Sequence, residues 1–142
     1  MQMTAYLNFK GDCEEAFKVY ERCLDGQVGG IFRYAGSPYA NTVPAEWQTK
    51  VMHGSMKVGG QELAGADVPP ERYEAPKGFS LSLNMKNAEE ADRIFQELAS
   101  GGHVVVPLEK TFWAERFGMV VDRFGVPWML NCEAAGEAVL TG

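Results

Sequence analysis

The sequence predicts an α+β fold made of tandem βαβββ repeats that form a curved mixed sheet with an internal cleft. Two observations predict it. The run LNFKGDCEEAFKVY (7–20) is answered by LNMKNAEEADRIF (83–95), with Leu7, Asn8 and Lys10 matching Leu83, Asn84 and Lys86. After a one-residue difference in length, Glu14, Glu15 and Ala16 match Glu89, Glu90 and Ala91, and Gly26 matches Gly101. The order around both runs is also the same: an alternating strand, a helix start, a helical stripe, a glycine and further strands. One unit alone buries little apolar surface. Two units with helices outside leave an inner face suited to a ligand. The expected organisation is a single domain over 1–142, with repeat one at about 3–67 and repeat two at about 78–133.

In chain order, residues 4–9 alternate, with Leu7 and Phe9 on one face and Tyr6 and Asn8 on the other, which predicts a strand. Asp12 followed by Glu15 is a helix-start pattern, with Asp12 as the expected side-chain cap. Apolar residues at 13, 16/17, 20 and 23/24 then make one stripe, and Gly26 is the expected left-handed stop. Residues 27–34 read as a strand with a bulge or close approach at Gly29-Gly30. Residues 35–49 are rich in Gly, Pro, Ser and Asn and read as a long loop, of a length that in a compact domain is usually functional or mobile. Strands at 51–58 and 61–66 flank the tight turn Gly59-Gly60. Residues 67–77, with three prolines, read as a linker.

The second copy opens with a strand near 79–84. Asn87 with Glu90 repeats the helix start, and Ala88, Ala91, Ile94/Phe95 and Leu98 repeat the stripe. A strand at 103–107 leads to a hairpin of 115–121 and 126–132 around Asp122-Arg123-Phe124-Gly125. In that hairpin Trp128 is expected in the core and Asp122 in the turn.

The chain has 142 residues and a net charge of −6, which argues against nucleic acid or an anionic membrane as partner, since both need a basic face. The N-terminus lacks the charged and apolar regions of a signal peptide. Cys13, Cys23 and Cys132 are odd in number and widely spaced, so free thiols and a cytoplasmic setting are expected.

The chain resembles the PhnB-like branch of the glyoxalase/bleomycin-resistance/dioxygenase (vicinal oxygen chelate) superfamily. The residues that carry the resemblance are Tyr6-Leu7 with Phe9, Gly11 and Glu15-Ala16; Met52-His53-Gly54; Ala66-Asp67 with Pro69; and above all Thr111-Phe112-Trp113-Ala114 with Phe117-Gly118, then Asp122-Arg123-Phe124-Gly125-Val126-Pro127-Trp128-Met129. Sequences of this kind have carried a ubiquinone-methyltransferase label. No glycine-rich nucleotide loop follows a first parallel strand here, as a doubly wound methyl-donor site would want. The resemblance implies a homodimer and a ligand cleft between repeats. It also implies a divalent metal held from the first, fourth, fifth and eighth strands, acting as a Lewis acid on neighbouring substrate oxygens.

The residues at those positions do not supply such a metal. The first strand offers Thr4, Tyr6 and Asn8, the fifth Ser80 and Ser82, and the eighth Met129 and Asn131; on the fourth, only Glu62 is a hard ligand. No metal and no other cofactor is therefore expected. The favoured reading is a protein of uncertain activity that binds a small polar or aromatic molecule, with Tyr6, Asn8, His53, Trp113, Glu115, Arg116, Met129 and Asn131 lining the cleft. The alternative is a divalent-metal-dependent lyase or dioxygenase with a relocated site, for which His53, Glu62 and Glu115 are the catalytic candidates.

Overall fold

The computed structural model describes residues 1–134; residues 135–142, part of the expected domain, lie outside the described residues. The chain divides into two compact units, Met1–Glu74 and Ala75–Gly142. The first contains β1 (Ala5–Phe9), α1 (Cys13–Cys23), β2 (Gln27–Arg33), β3 (Val51–Val58) and β4 (Gln61–Asp67). The second contains β5 (Leu81–Met85), α2 (Ala88–Ala99), β6 (His103–Glu109), β7 (Ala114–Val121) and β8 (Pro127–Glu133). The sheet orders are β1-β4-β3-β2 and β5-β8-β7-β6. In each sheet the first strand runs parallel to the last, and the other pairs are antiparallel. The predicted α+β class and repeat are thus realised as two four-stranded mixed sheets of one topology.

Alternation decides which face of each sheet meets its helix. In the first unit Leu7, Phe9 and Met56 are buried with Phe17 and Tyr20 of α1. In the second, Val120, Trp128 and Leu130 are buried with Ala91, Ile94, Phe95 and Leu98 of α2, which is the predicted stripe. Burying a side chain of this size contributes roughly 1.5–3 kcal/mol, so each helix is held mainly by its apolar face. Among the described residues of each unit, the opposite face of its sheet carries no helix. Tyr6, Asn8 and His53 project from it in the first unit, as expected from the alternation.

The helix ends differ from expectation. Asn87 caps α2 as predicted, its side chain accepting from the Glu90 amide at 3.0 Å. Asp12 makes no such bond to α1. Asp67 takes that role: its Oδ1 accepts from the amides of Gly11 (3.0 Å) and Cys13 (2.9 Å). Its Oδ2 accepts from the Val51 amide at 2.9 Å. Asp67 is therefore the end of β4 and a buried tie, 1% exposed, rather than the first residue of a linker. At the other end of α1, the left-handed residue is Asp25 (φ 53) and not Gly26. Gly26 is needed for space, since a Cβ there would lie 2.7 Å from the Lys57 carbonyl oxygen.

Residues 35–49 contain two short 3-10 turns, Ala40–Thr42 and Ala45–Trp47. The loop bonds to itself, through Ala35 N to Gln48 O and Gln48 Nε2 to Ala40 O. Lys50 Nζ ties its base to Gly11 O at 2.9 Å. In the hairpin, β8 runs one residue past the predicted end. Asp122 holds the turn: Oδ1 accepts from the Phe124 and Val126 amides and Oδ2 from Trp128 Nε1 at 2.8 Å.

Candidate functional site

On the helix-free face of the first sheet, strand register sets a row of side chains. Asn8 pairs with Ala66 across β1 and β4. The antiparallel count from Gly54↔Gly65 carries His53 opposite Ala66, and Phe32 pairs with His53. The next row holds Tyr6, Ala64 and Ser55. Alanines on β4 leave space for rings from the strands on either side. Tyr6 and His53 use it: the phenol oxygen lies 3.1 Å from His53 Nδ1, and the rings stack with centroids 5.6 Å apart. Phe32 stands on the far side of His53, its ring tilted at 6.4 Å. Ala64 and Ala66, under this bridge, are buried, while Tyr6 and Phe32 keep about half their surface exposed. Burial raises the Tyr6 pKa above the ordinary phenol value, so the hydroxyl keeps its proton at neutral pH.

Of the other residues singled out in the sequence, Glu62 shares this face but pairs with Lys57. That is four residues along β3 from His53, about 13 Å at the rise of a strand. The two are not brought together. In the second unit, Asn84 pairs with Asn131, and Asn131 with Phe117. Met129 pairs with Ser82 and Met119. Trp113 packs edge-on against Phe117 (5.5 Å) and Phe112 (4.8 Å). This second face is amide, thioether and aromatic in character.

Glu115 and Arg116 are expected from the sequence to line the cleft with Trp113. A register irregularity between Ala114 and Arg116 breaks the alternation there. Arg116 sits opposite Cys132 and reaches α2, where its Nε donates to Asp92 Oδ1 at 3.0 Å. Its Nη1 lies 3.6 Å from Glu115 Oε1, and Lys110 approaches the other Glu115 oxygen at 3.9 Å. These charges answer one another.

Sequence reasoning missed Phe32 in the first cluster. Its register partner His53 was the available signal, but the bulge before Ile31 hides the pairing. It also missed Glu133, which ends β8 in phase with Met129 and Asn131. The metal implied by the resemblance does not fit these positions. No histidine lies on β1, β4, β5 or β8, and the carboxylates of the helix-free positions there are Glu62 and Glu133, one in each sheet. Among the described residues no three His, Cys, Asp or Glu side chains form a metal-holding group. The three cysteines are buried, and burial pushes the Cys13 and Cys132 thiols up, away from the reactive thiolate.

A polar cavity of about 520 Å³ opens beside the start of α1, between Arg33, Glu14, Lys50 and Asp67. Arg33, Glu14, Lys50 and Asp67 are committed internally, while Asp12, also in the lining, has an oxygen without a hydrogen-bond partner. Arg33 donates to both Glu14 oxygens (3.1 and 3.0 Å) and to Thr49 O. That hydrogen-bonded guanidinium holds the Glu14 carboxyl below its usual range.

The chain is similar to known proteins over nearly its whole length. Protein PA1353 of Pseudomonas aeruginosa is 46% identical, covering 94% of this chain and 98% of that one, with a TM-score of 0.84. A PhnB protein from Bacillus cereus is 27% identical, covering 93% and 99%, with a TM-score of 0.81. Protein YjdN of Escherichia coli K12 is 32% identical over 139 residues, 92% of this chain and 95% of the relative. The fold alone extends to the fosfomycin resistance protein FosX of Listeria monocytogenes, at 9% identity and a TM-score of 0.65. A repeated mixed-sheet unit with a helix on one face is the glyoxalase-like fold that this chain shares with FosX. Within that fold, the chain belongs to the PhnB-like family whose model, described as 3-demethylubiquinone-9 3-methyltransferase, matches residues 1–131. No helix among the described residues is long and apolar enough to cross a membrane.

Proposed function

We propose that this protein binds a small polar or aromatic molecule on the helix-free face of the first sheet, without a metal. The observation that carries the reading is the Tyr6–His53 bridge over Ala64 and Ala66, with Phe32 beside it. Half-exposed rings and one hydrogen-bonded imidazole are the mixture that small-molecule sites use: apolar area for affinity and a few polar groups for orientation. Asn8 adds an amide on the same row. On the second sheet, Trp113, Met129 and Asn131 make a comparable surface of rings, sulfur and amides. The methyl transfer named in the family's description is not adopted, because a fold does not carry an activity with it. A homodimer and a cytoplasmic setting with reduced thiols go with the proposal.

The test is a ligand screen read by amide chemical shifts. Bound compounds are expected to move Tyr6, Asn8, Phe32 and His53. His53→Ala should weaken them about tenfold, near 1.4 kcal/mol. Compounds that bind tightly yet leave this face unmoved would refute the assignment. Purified without chelator, the protein is expected to carry no stoichiometric divalent ion and to gain no thermal stability from Zn, Ni, Mn or Fe. Metal lost together with an activity in Glu62→Ala would instead establish the metal-dependent alternative.

A further inference from the structure

We infer that His53 meets its ligand as a hydrogen-bond donor through Nε2, positioned by Tyr6, and that the molecule bound there presents an acceptor oxygen on a flat apolar body. The inference rests on the reading of this face as a binding surface. It starts from the 3.1 Å contact between the Tyr6 hydroxyl and His53 Nδ1. Each partner has one proton that could occupy this bond when the imidazole is neutral. A phenol is a stronger acid than a neutral imidazole N–H, so the phenol donates and Nδ1 accepts. With Nδ1 accepting, the imidazole's own proton must reside on Nε2. Among the described residues Nε2 has no hydrogen-bond partner, and Glu62, the carboxylate of this face on β4, sits four residues along β3 by register.

The consequence is chemical. A general base needs Nε2 bare, so the Tyr6 bond argues against that role and for a fixed N–H donor. A donor selects an acceptor: a carbonyl, nitro or phenolate oxygen. The surroundings select the rest. Phe32 offers a half-exposed ring on one side of His53, and the stacked Tyr6 ring offers another on the other side. A planar body with its oxygen at one edge satisfies both at once.

Ring-nitrogen correlation spectra of the ¹⁵N-labelled protein test this directly. The chain has two histidines, and His53→Gln identifies the His53 signals. Expected are an unprotonated Nδ1 and a protonated Nε2 in the wild type, and a shift toward mixed tautomers in Tyr6→Phe. Acetophenone should then move the Nε2–H signal, while ethylbenzene, of similar shape but without the oxygen, should leave it in place. A proton on Nδ1 overturns the inference and leaves small-molecule binding standing. An Nε2–H signal indifferent to acetophenone at millimolar concentration, or equally responsive to both probes, overturns the ligand class. Failure of every compound in the screen to touch this face is the separate result that removes the binding site itself.

Discussion

At the start of α1 the Asp12 carboxylate gives up water without an equal return in donors. Its Oδ1 is buried with no hydrogen-bond partner, and its pKa is raised, first by that burial and then by the nearby Asp67. A raised carboxylate pKa means that the folded state disfavours the ionised form. The penalty is absent below the ordinary carboxylate pKa, where both folded and unfolded chains are protonated, and is full above the raised value. Asp12→Asn should therefore stabilise the protein at pH 7, by no more than about 1 kcal/mol for a half-exposed group. The gain should fade as pH drops toward 4, which thermal melts across that range will show. Asp67 lies on the opposite side of the ledger of polar groups. It is buried too, yet accepts three backbone N–H bonds. Asp67→Ala leaves those three amides without their acceptor and should cost about 3–5 kcal/mol in urea unfolding. A cost under 1 kcal/mol would show that water replaces the carboxylate.

Among the elements, the third strand of each unit carries a glycine under its helix. Gly54 pairs with Gly65 and Gly118 with Leu130, so the two hold equivalent places. A Cβ at Gly118 would lie 2.8 Å from Leu108 Cα and 3.0 Å from a Phe95 ring carbon. At Gly54 the nearest atom is Ile31 Cδ1, 2.9 Å away, the tip of a side chain that can turn. Gly118→Ala should thus be the more damaging, by about 1–3 kcal/mol against less than about 1 kcal/mol for Gly54→Ala. Chemical denaturation of the two variants will rank them, and the reverse order would mean that β6 yields more easily than Ile31. These strands were plain in the sequence because alternation is a local property. The α2 cap was equally plain, since Asn87 and Glu90 are three residues apart. The α1 cap was not, because its carboxylate comes from 54 residues away. Arg116 lies on the helix side by plain alternation with Gly118 and Val120, whereas the irregularity between Ala114 and Arg116 changes the phase of the residues before it, and no turn residue announces it.

Taken whole, the molecule repeats its topology but not its chemistry. The row Asn8, Ala66, His53, Phe32 in the first unit corresponds to Asn84, Asn131, Phe117, Glu109 in the second. Only the leading asparagine persists. The repeat was readable because helix stripes and caps constrain residue types strongly. The candidate site was only partly readable, as Tyr6, Asn8 and His53, because the helix-free faces impose no packing pattern and their partners are fixed by register. The difference in helix capping reaches beyond the native state. Asn87 can start α2 within a single turn of chain, whereas α1 lacks its acceptor until β4 has arrived beside β1. The second helix should accordingly form early, and the first should consolidate late, after its sheet has closed. In stopped-flow experiments Asn87→Ala is expected chiefly to slow refolding, and Asp67→Asn chiefly to speed unfolding. Equal slowing of refolding by both would reject that order. If it holds, a chain emerging N-terminus first must wait with its first helix unanchored until residue 67 is made, a delay that the placement of one carboxylate imposes on biosynthesis.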